Sequence, residues 1–74
     1  MSNWSNTRPD IPDTWKGNMT DAQRVLGQPG KPIAYKTLDK YAKLGKRNGG
    51  IDWWPGRHGR QFTGKEIKRF WDSL

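Results

Sequence analysis

Lys36, Lys40 and Lys43 recur at i, i+4 and i+7, the spacing that stacks side chains along one stripe of a helix. Lys46 and Arg47 continue the charge past Gly45, and Arg57, His58 and Arg60 follow in and beside the segment Gly56-Arg57-His58-Gly59. Ammonium and guanidinium groups in such numbers do one kind of chemistry well. They make charge-assisted hydrogen bonds to phosphate, carboxylate or base-edge oxygens. Three lysines on one stripe repel one another by about a few tenths of a kcal/mol per close pair. The stripe is therefore either a solvated face or a row of contacts to a polyanion, and its spacing alone does not choose. No nucleophile, base and orienting group come together elsewhere. The chain has no Cys, which excludes disulfides, zinc ribbons and thiol catalysis. It has a single His, and its seven carboxylates are scattered without the spacing of a calcium loop. The expectation is a protein that is no enzyme, with no cofactor and no metal, and His58 reads as a solvated or phosphate-touching loop residue.

The elements that carry these groups must come from 74 residues, room for one small domain. The net charge is +7, and residues 31–60 hold eight basic and two acidic side chains, so nearly all of the excess sits there. With a pI near 10.2, this is the electrostatic footprint of a polyanion binder. Leu, Ile, Val and Phe number only 11, a composition close to that of disordered chains. Five Trp, two Tyr and two Phe argue for a compact module built around aromatic rings, with disordered ends. There is no apolar run near the ~18 residues of a membrane span, and residues 1–19 lack the apolar region of a signal peptide. No membrane association is expected; a cytoplasmic, nucleoid-associated location fits these features.

Residues 1–18 contain two prolines and no periodicity, which predicts a flexible arm. Trp4, Ile11 and Trp15 within it either dock on the folded part, the preferred reading, or stand exposed for a partner. A first helix is predicted after Thr20, with Thr20 and Gln23 as a capping box, Ala22, Val25 and Leu26 as its apolar face, and Gly27 as its stop. Residues 28–32 form a turn. A second helix runs from Ile33 or Ala34 to Leu44, with Ala34, Leu38 and Tyr41 on one face and Ala42 beside them. Asn48-Gly49-Gly50 turns the chain into a hairpin, Ile51–Pro55 and Arg60–Phe62, around the four-residue loop 56–59. Trp53 and Trp54, at adjacent strand positions, face opposite ways, so one of them faces the core. Thr63 and Glu66 make a second capping box, and Ile67, Phe70, Trp71 and Leu74 define the core face of a last helix.

This order predicts an α+β, mainly α fold: a small winged helix-turn-helix over residues 19–74, with a β-hairpin wing and a C-terminal amphipathic helix. A second helix suited to the DNA major groove and a basic wing beside it together point to duplex DNA. Met19-Thr20-Asp21-Ala22-Gln23-Arg24-Val25-Leu26-Gly27, Thr37-Leu38-Asp39-Lys40-Tyr41, and Gly59-Arg60-Gln61-Phe62-Thr63 running into Glu66-Ile67-Lys68-Arg69-Phe70 carry a family likeness. The chain resembles the excisionase-like, MerR-type winged helix-turn-helix family over residues 19–74. It departs from that pattern in the nine residues between Gly27 and Thr37, a longer turn than the family's. The resemblance implies DNA contacts by Tyr35, Lys36, Asp39 and Lys40 on the recognition helix and by Arg57, His58 and Arg60 on the wing; Lys43 joins them as part of the lysine stripe. It further implies a recombination directionality factor or small transcriptional regulator of a phage or mobile element. Such a factor would act on double-stranded DNA beside an integrase or other protein, in several copies on one site. The competing reading is a basic protein-interaction module that docks on an acidic partner through Trp4 and Trp15. RNA binding ranks below both, because Trp53 and Trp54 offer no shared stacking face.

Overall fold

In the computed structural model, which describes residues 4–57 and 59–74, the first helix is capped by Asn18, two residues before the expected Thr20. The Asn18 side chain accepts from the Asp21 N–H (3.0 Å), and the Asp21 carboxylate accepts from the Asn18 N–H (3.3 Å). The helix, α1 (Met19–Leu26), ends at Gly27. Gln23 is released from the capping task assigned to it, and its side-chain amide donates instead to the Ile33 carbonyl (3.0 Å) while its own carbonyl accepts from the Ile33 N–H (3.2 Å). The long turn thereby becomes a defined one. Gln28 and Lys31 exchange backbone hydrogen bonds across Pro29-Gly30, with Gly30 at φ 74°, the conformation that the third position of such a turn demands. Gly27 leaves no room for a side chain, since a Cβ there would lie 2.7 Å from the Ile33 nitrogen and the Lys31 oxygen.

The second helix, α2 (Tyr35–Leu44), starts after Pro32 and stops at Gly45. A short 3-10 turn, Lys46–Asn48, leads into the buried Ile51. The hairpin strands are β2 (Trp54–Gly56) and β3 (Gly59–Thr63), paired antiparallel with Trp54 opposite Gln61 and Gly56 opposite Gly59. The expected loop of four is thus a connection of two positions, because the two glycines pair with each other. His58 lies outside the described residues. Thr63 then caps α3 (Gly64–Asp72), its hydroxyl accepting from the Glu66 N–H (3.3 Å).

Residues 4–18, expected as an arm, pack on the domain. Lys16–Gly17 form β1, which pairs with β3 and gives a three-stranded antiparallel sheet of order β1-β3-β2 in place of a lone hairpin. The reason lies at the start of α3, where the first N–H groups of any helix lack partners within it. The carbonyls of Trp15 and Asp13 accept from the Gly64 and Lys65 N–H groups (2.7 and 3.3 Å), so the arm completes this cap. Glu66 does not close the expected box: it accepts from the Asp52 N–H (3.1 Å) and binds Arg69, and Arg69 in turn donates to the Gly50 carbonyl.

Ala22 and Leu26 of α1, Ile33 from the turn before α2, Leu38 and Ala42 of α2, Ile51 before the hairpin, Phe62 of β3, and Ile67 and Phe70 of α3 form the core. Trp4, Trp15, Trp53 and Trp71 ring it, half-buried, so tryptophans close what so few aliphatic residues leave open. Trp71 is therefore at the margin of the core and not inside it, its indole N–H turned to the Ser5 carbonyl (3.4 Å). Leu74 and Ala34 are exposed, against expectation, because each lies past the end of its helix's buried face. The described residues form a small winged-helix-like α+β domain of three α-helices and one three-stranded sheet. Among the described residues, no helix is long and apolar enough to cross a membrane.

Candidate nucleic-acid interface

Burial of Leu38 and Ala42 orients α2, and what lies opposite them faces water: Tyr35, Lys36, Lys40 and Lys43 are all exposed, Tyr35 by 56%. Behind the helix, Tyr41 is held by Trp4 and Phe70, with ring centroids 6.0 and 5.1 Å away. Those distances suit the tilted and edge-on arrangements that aromatic quadrupoles favour. The stripe is thus presented by a helix braced from the rear. Arg57 stands exposed where β2 ends.

Three of the predicted site residues, Asp39, Lys43 and Arg60, are engaged with one another. Arg60 donates to Asp39 Oδ1 (2.5 Å), and the Lys43 ammonium reaches Asp39 Oδ2 (3.0 Å). The Arg60 guanidinium also lies over the Trp53 ring, 4.9 Å from its centroid, and the Trp53 indole N–H donates to the Ala42 carbonyl (2.8 Å). The hydrogen bond from Arg60, helped by that from Lys43, holds the Asp39 carboxyl below the usual carboxylate range. Asp39 and Arg60 are both largely covered, whereas Lys36, Lys40 and Arg57 are in the open. Trp53 was not singled out as a site residue from the sequence; its neighbour Trp54 is the one left 40% exposed on the wing. The alternation of adjacent strand positions separates the two, but which faces inward depends on where α2 lies.

The ion pairs are unevenly spread over the domain. On the arm and α3, Asp13 pairs with Lys68, Asp72 with Arg8 and Glu66 with Arg69, so three of the five cations there meet acids, while Lys16 and Lys65 are exposed without a salt bridge among the described residues. Lys68 is the main cause of a lowered Asp13 pKa. Lys31, Lys36, Lys40, Lys46, Arg47 and Arg57 are exposed and make no salt bridge among the described residues. No protein-family model, curated protein or solved structure matches the chain. The site's meaning rests on its own chemistry. Among the described residues, no three His, Cys, Asp or Glu side chains are placed to hold a metal ion.

Proposed function

We propose that this chain is a duplex-DNA-binding protein, a winged-helix factor of the excisionase-like or small-regulator kind that marks or bends DNA and catalyses nothing itself. The observation that carries this reading is the concentration of unpaired, exposed cations between Lys31 and Arg60. Acids pair with three of the five cations of the arm and α3, whereas six of the eight cations between Lys31 and Arg60 are exposed and make no salt bridge among the described residues. A single helix fits the ~12 Å width of a major groove, and Lys36 and Lys40, one turn apart near the start of α2, are where such a helix reaches base edges. Arg57 on the wing suits a neighbouring phosphate or a narrow minor groove. A domain this small makes few base contacts, which favours several copies on one site, with a recombinase-type protein as a natural neighbour. Work on DNA places it in the cytoplasm, on the nucleoid. Docking on an acidic protein is supported less well, since Trp4 and Trp15, its proposed anchors, are half-buried against the domain.

The test is a duplex titration across salt concentration. If about five of the free cations meet phosphates, log K falls against log[salt] with a slope of about −4 to −5. A slope near zero, or no duplex binding at low salt, refutes the reading and moves the basic face to an acidic protein partner.

A further inference from the structure

Asp39 is an acid on the helix offered to a polyanion, and Arg60 is a wing cation already engaged by that acid. Both are anomalies for DNA contacts, and each accounts for the other. Four groups from three parts of the chain meet here: Asp39 and the Ala42 carbonyl from α2, Trp53 from the segment before β2, and Arg60 from β3. Trp53 is fixed to α2 by its indole N–H, Arg60 lies over the Trp53 ring, and the far end of Arg60 returns to α2 at Asp39. Pro55 pairs with Arg60 across the hairpin, so the position of Arg60 is also the position of β2. Guanidinium suits this place as ammonium does not, being planar enough to stack on an indole while donating in its own plane.

We infer that Asp39, Arg60 and Trp53 form a strut that sets the wing on α2 before any ligand arrives, making Asp39 and Arg60 positioning residues and not DNA contacts. The inference rests on the duplex reading for its use, and on the free protein for its existence. A preset wing holds Arg57 at a fixed offset from Lys36 and Lys40, so binding need not first order the hairpin. The inference also explains why an acid is tolerated on this face: its charge is spent on two cations at hydrogen-bonding distance.

Asp39→Asn and Arg60→Gln test it, each in the free protein and on duplex DNA. In the free protein, both substitutions should speed solvent exchange of the Trp53 indole N–H by about tenfold, while the amides of Ile67 and Phe70 keep their protection. On duplex DNA, Asp39→Asn should weaken binding by about tenfold, the cost of ordering one or two side chains on association. The sign is decisive, because removing an acid that merely repels phosphates tightens binding. Arg60→Gln should weaken binding with the salt slope unchanged, whereas loss of a phosphate contact lowers the slope by about one. Tighter binding by Asp39→Asn, a reduced slope for Arg60→Gln, or wild-type indole exchange in both variants overturns the strut. A wild-type protein that binds no duplex refutes the DNA reading alone, and indole exchange still decides whether the strut exists.

Discussion

Trp4→Ala measures how much of the domain the N-terminal segment holds together. Trp4 touches both Tyr41 on the back of α2 and Phe70 of α3, with centroids 6.0 and 5.9 Å away, and its neighbour Ser5 donates to the Leu26 carbonyl (2.8 Å). Truncating a fully buried Trp to Ala costs about 3–5 kcal/mol. Trp4 is half-buried, so about 2 kcal/mol is expected, much of it from two aromatic contacts of about 0.5–1.5 kcal/mol each. For a domain of this size, that lowers the melting temperature by about 8–16 °C. Thermal melts followed by far-ultraviolet circular dichroism read it, with Trp54→Ala as the control: an exposed Trp should cost within about 0.5 kcal/mol. A Trp4→Ala melt indistinguishable from wild type, or equal losses for the two variants, would refute the docked segment and the rear bracing of α2.

Thr63→Ala removes the hydroxyl that accepts from the Glu66 N–H and should cost about 1 kcal/mol, read as a fall of about 4–8 °C in the same melts. Lys36→Ala and Lys40→Ala should re-rank a panel of duplexes, by about 1–3 kcal/mol at an affected position, whereas Arg57→Ala should weaken all duplexes alike and lower the salt slope by about one. Equal losses across the panel for every variant would make α2 a backbone tracker and the protein purely architectural. Asp39 and Asp13 have folded-state pKa values lowered by their cationic partners, so below about pH 4 the unfolded chain takes up protons that the folded chain refuses. Their contribution is complete above that range and is lost as pH falls through the lowered values. Melting temperature should therefore drop on acidification below about pH 4, less steeply in Asp39→Asn than in wild type.

Local signals in the sequence were enough for the presence of α3 and its Thr63 cap (not for Glu66's partner or the burial of Trp71 and Leu74), for the stop at Gly27, and for the lysine stripe, because each depends on residues within one or two helical turns. The start of α1 was misplaced because two overlapping capping patterns compete, Asn18 with Asp21 and Thr20 with Gln23, and Gln23 is drawn away by Ile33. The hairpin was legible but its loop was not, since Gly56 and Gly59 look like turn residues whether or not they pair. β1 had no signal at all: two residues show no alternation, and they form a strand only because β3 lies ready beside them. The site was half legible. Charge and periodicity identified which cations exist, but the commitment of Arg60 to Asp39 joins residues 21 apart, and no periodicity reports a contact between elements.

The clasp of the N-terminal segment on α3 also bears on how the chain reaches this state. Arg8 pairs with Asp72 and Ser5 with Trp71 across separations of 64 and 66 residues, almost the whole chain. Closing so large a loop costs entropy before any contact rewards it, whereas the α1–turn–α2 unit and the hairpin close short ones. The local units are therefore expected to form early and the clasp last, with Trp4 and Arg8 outside the folding nucleus. Substitutions there should raise the unfolding rate and leave the folding rate nearly unchanged, which stopped-flow folding and unfolding of Trp4→Ala would check. On that expectation the clasp is a latch on the folded state, setting its lifetime more than its speed of formation.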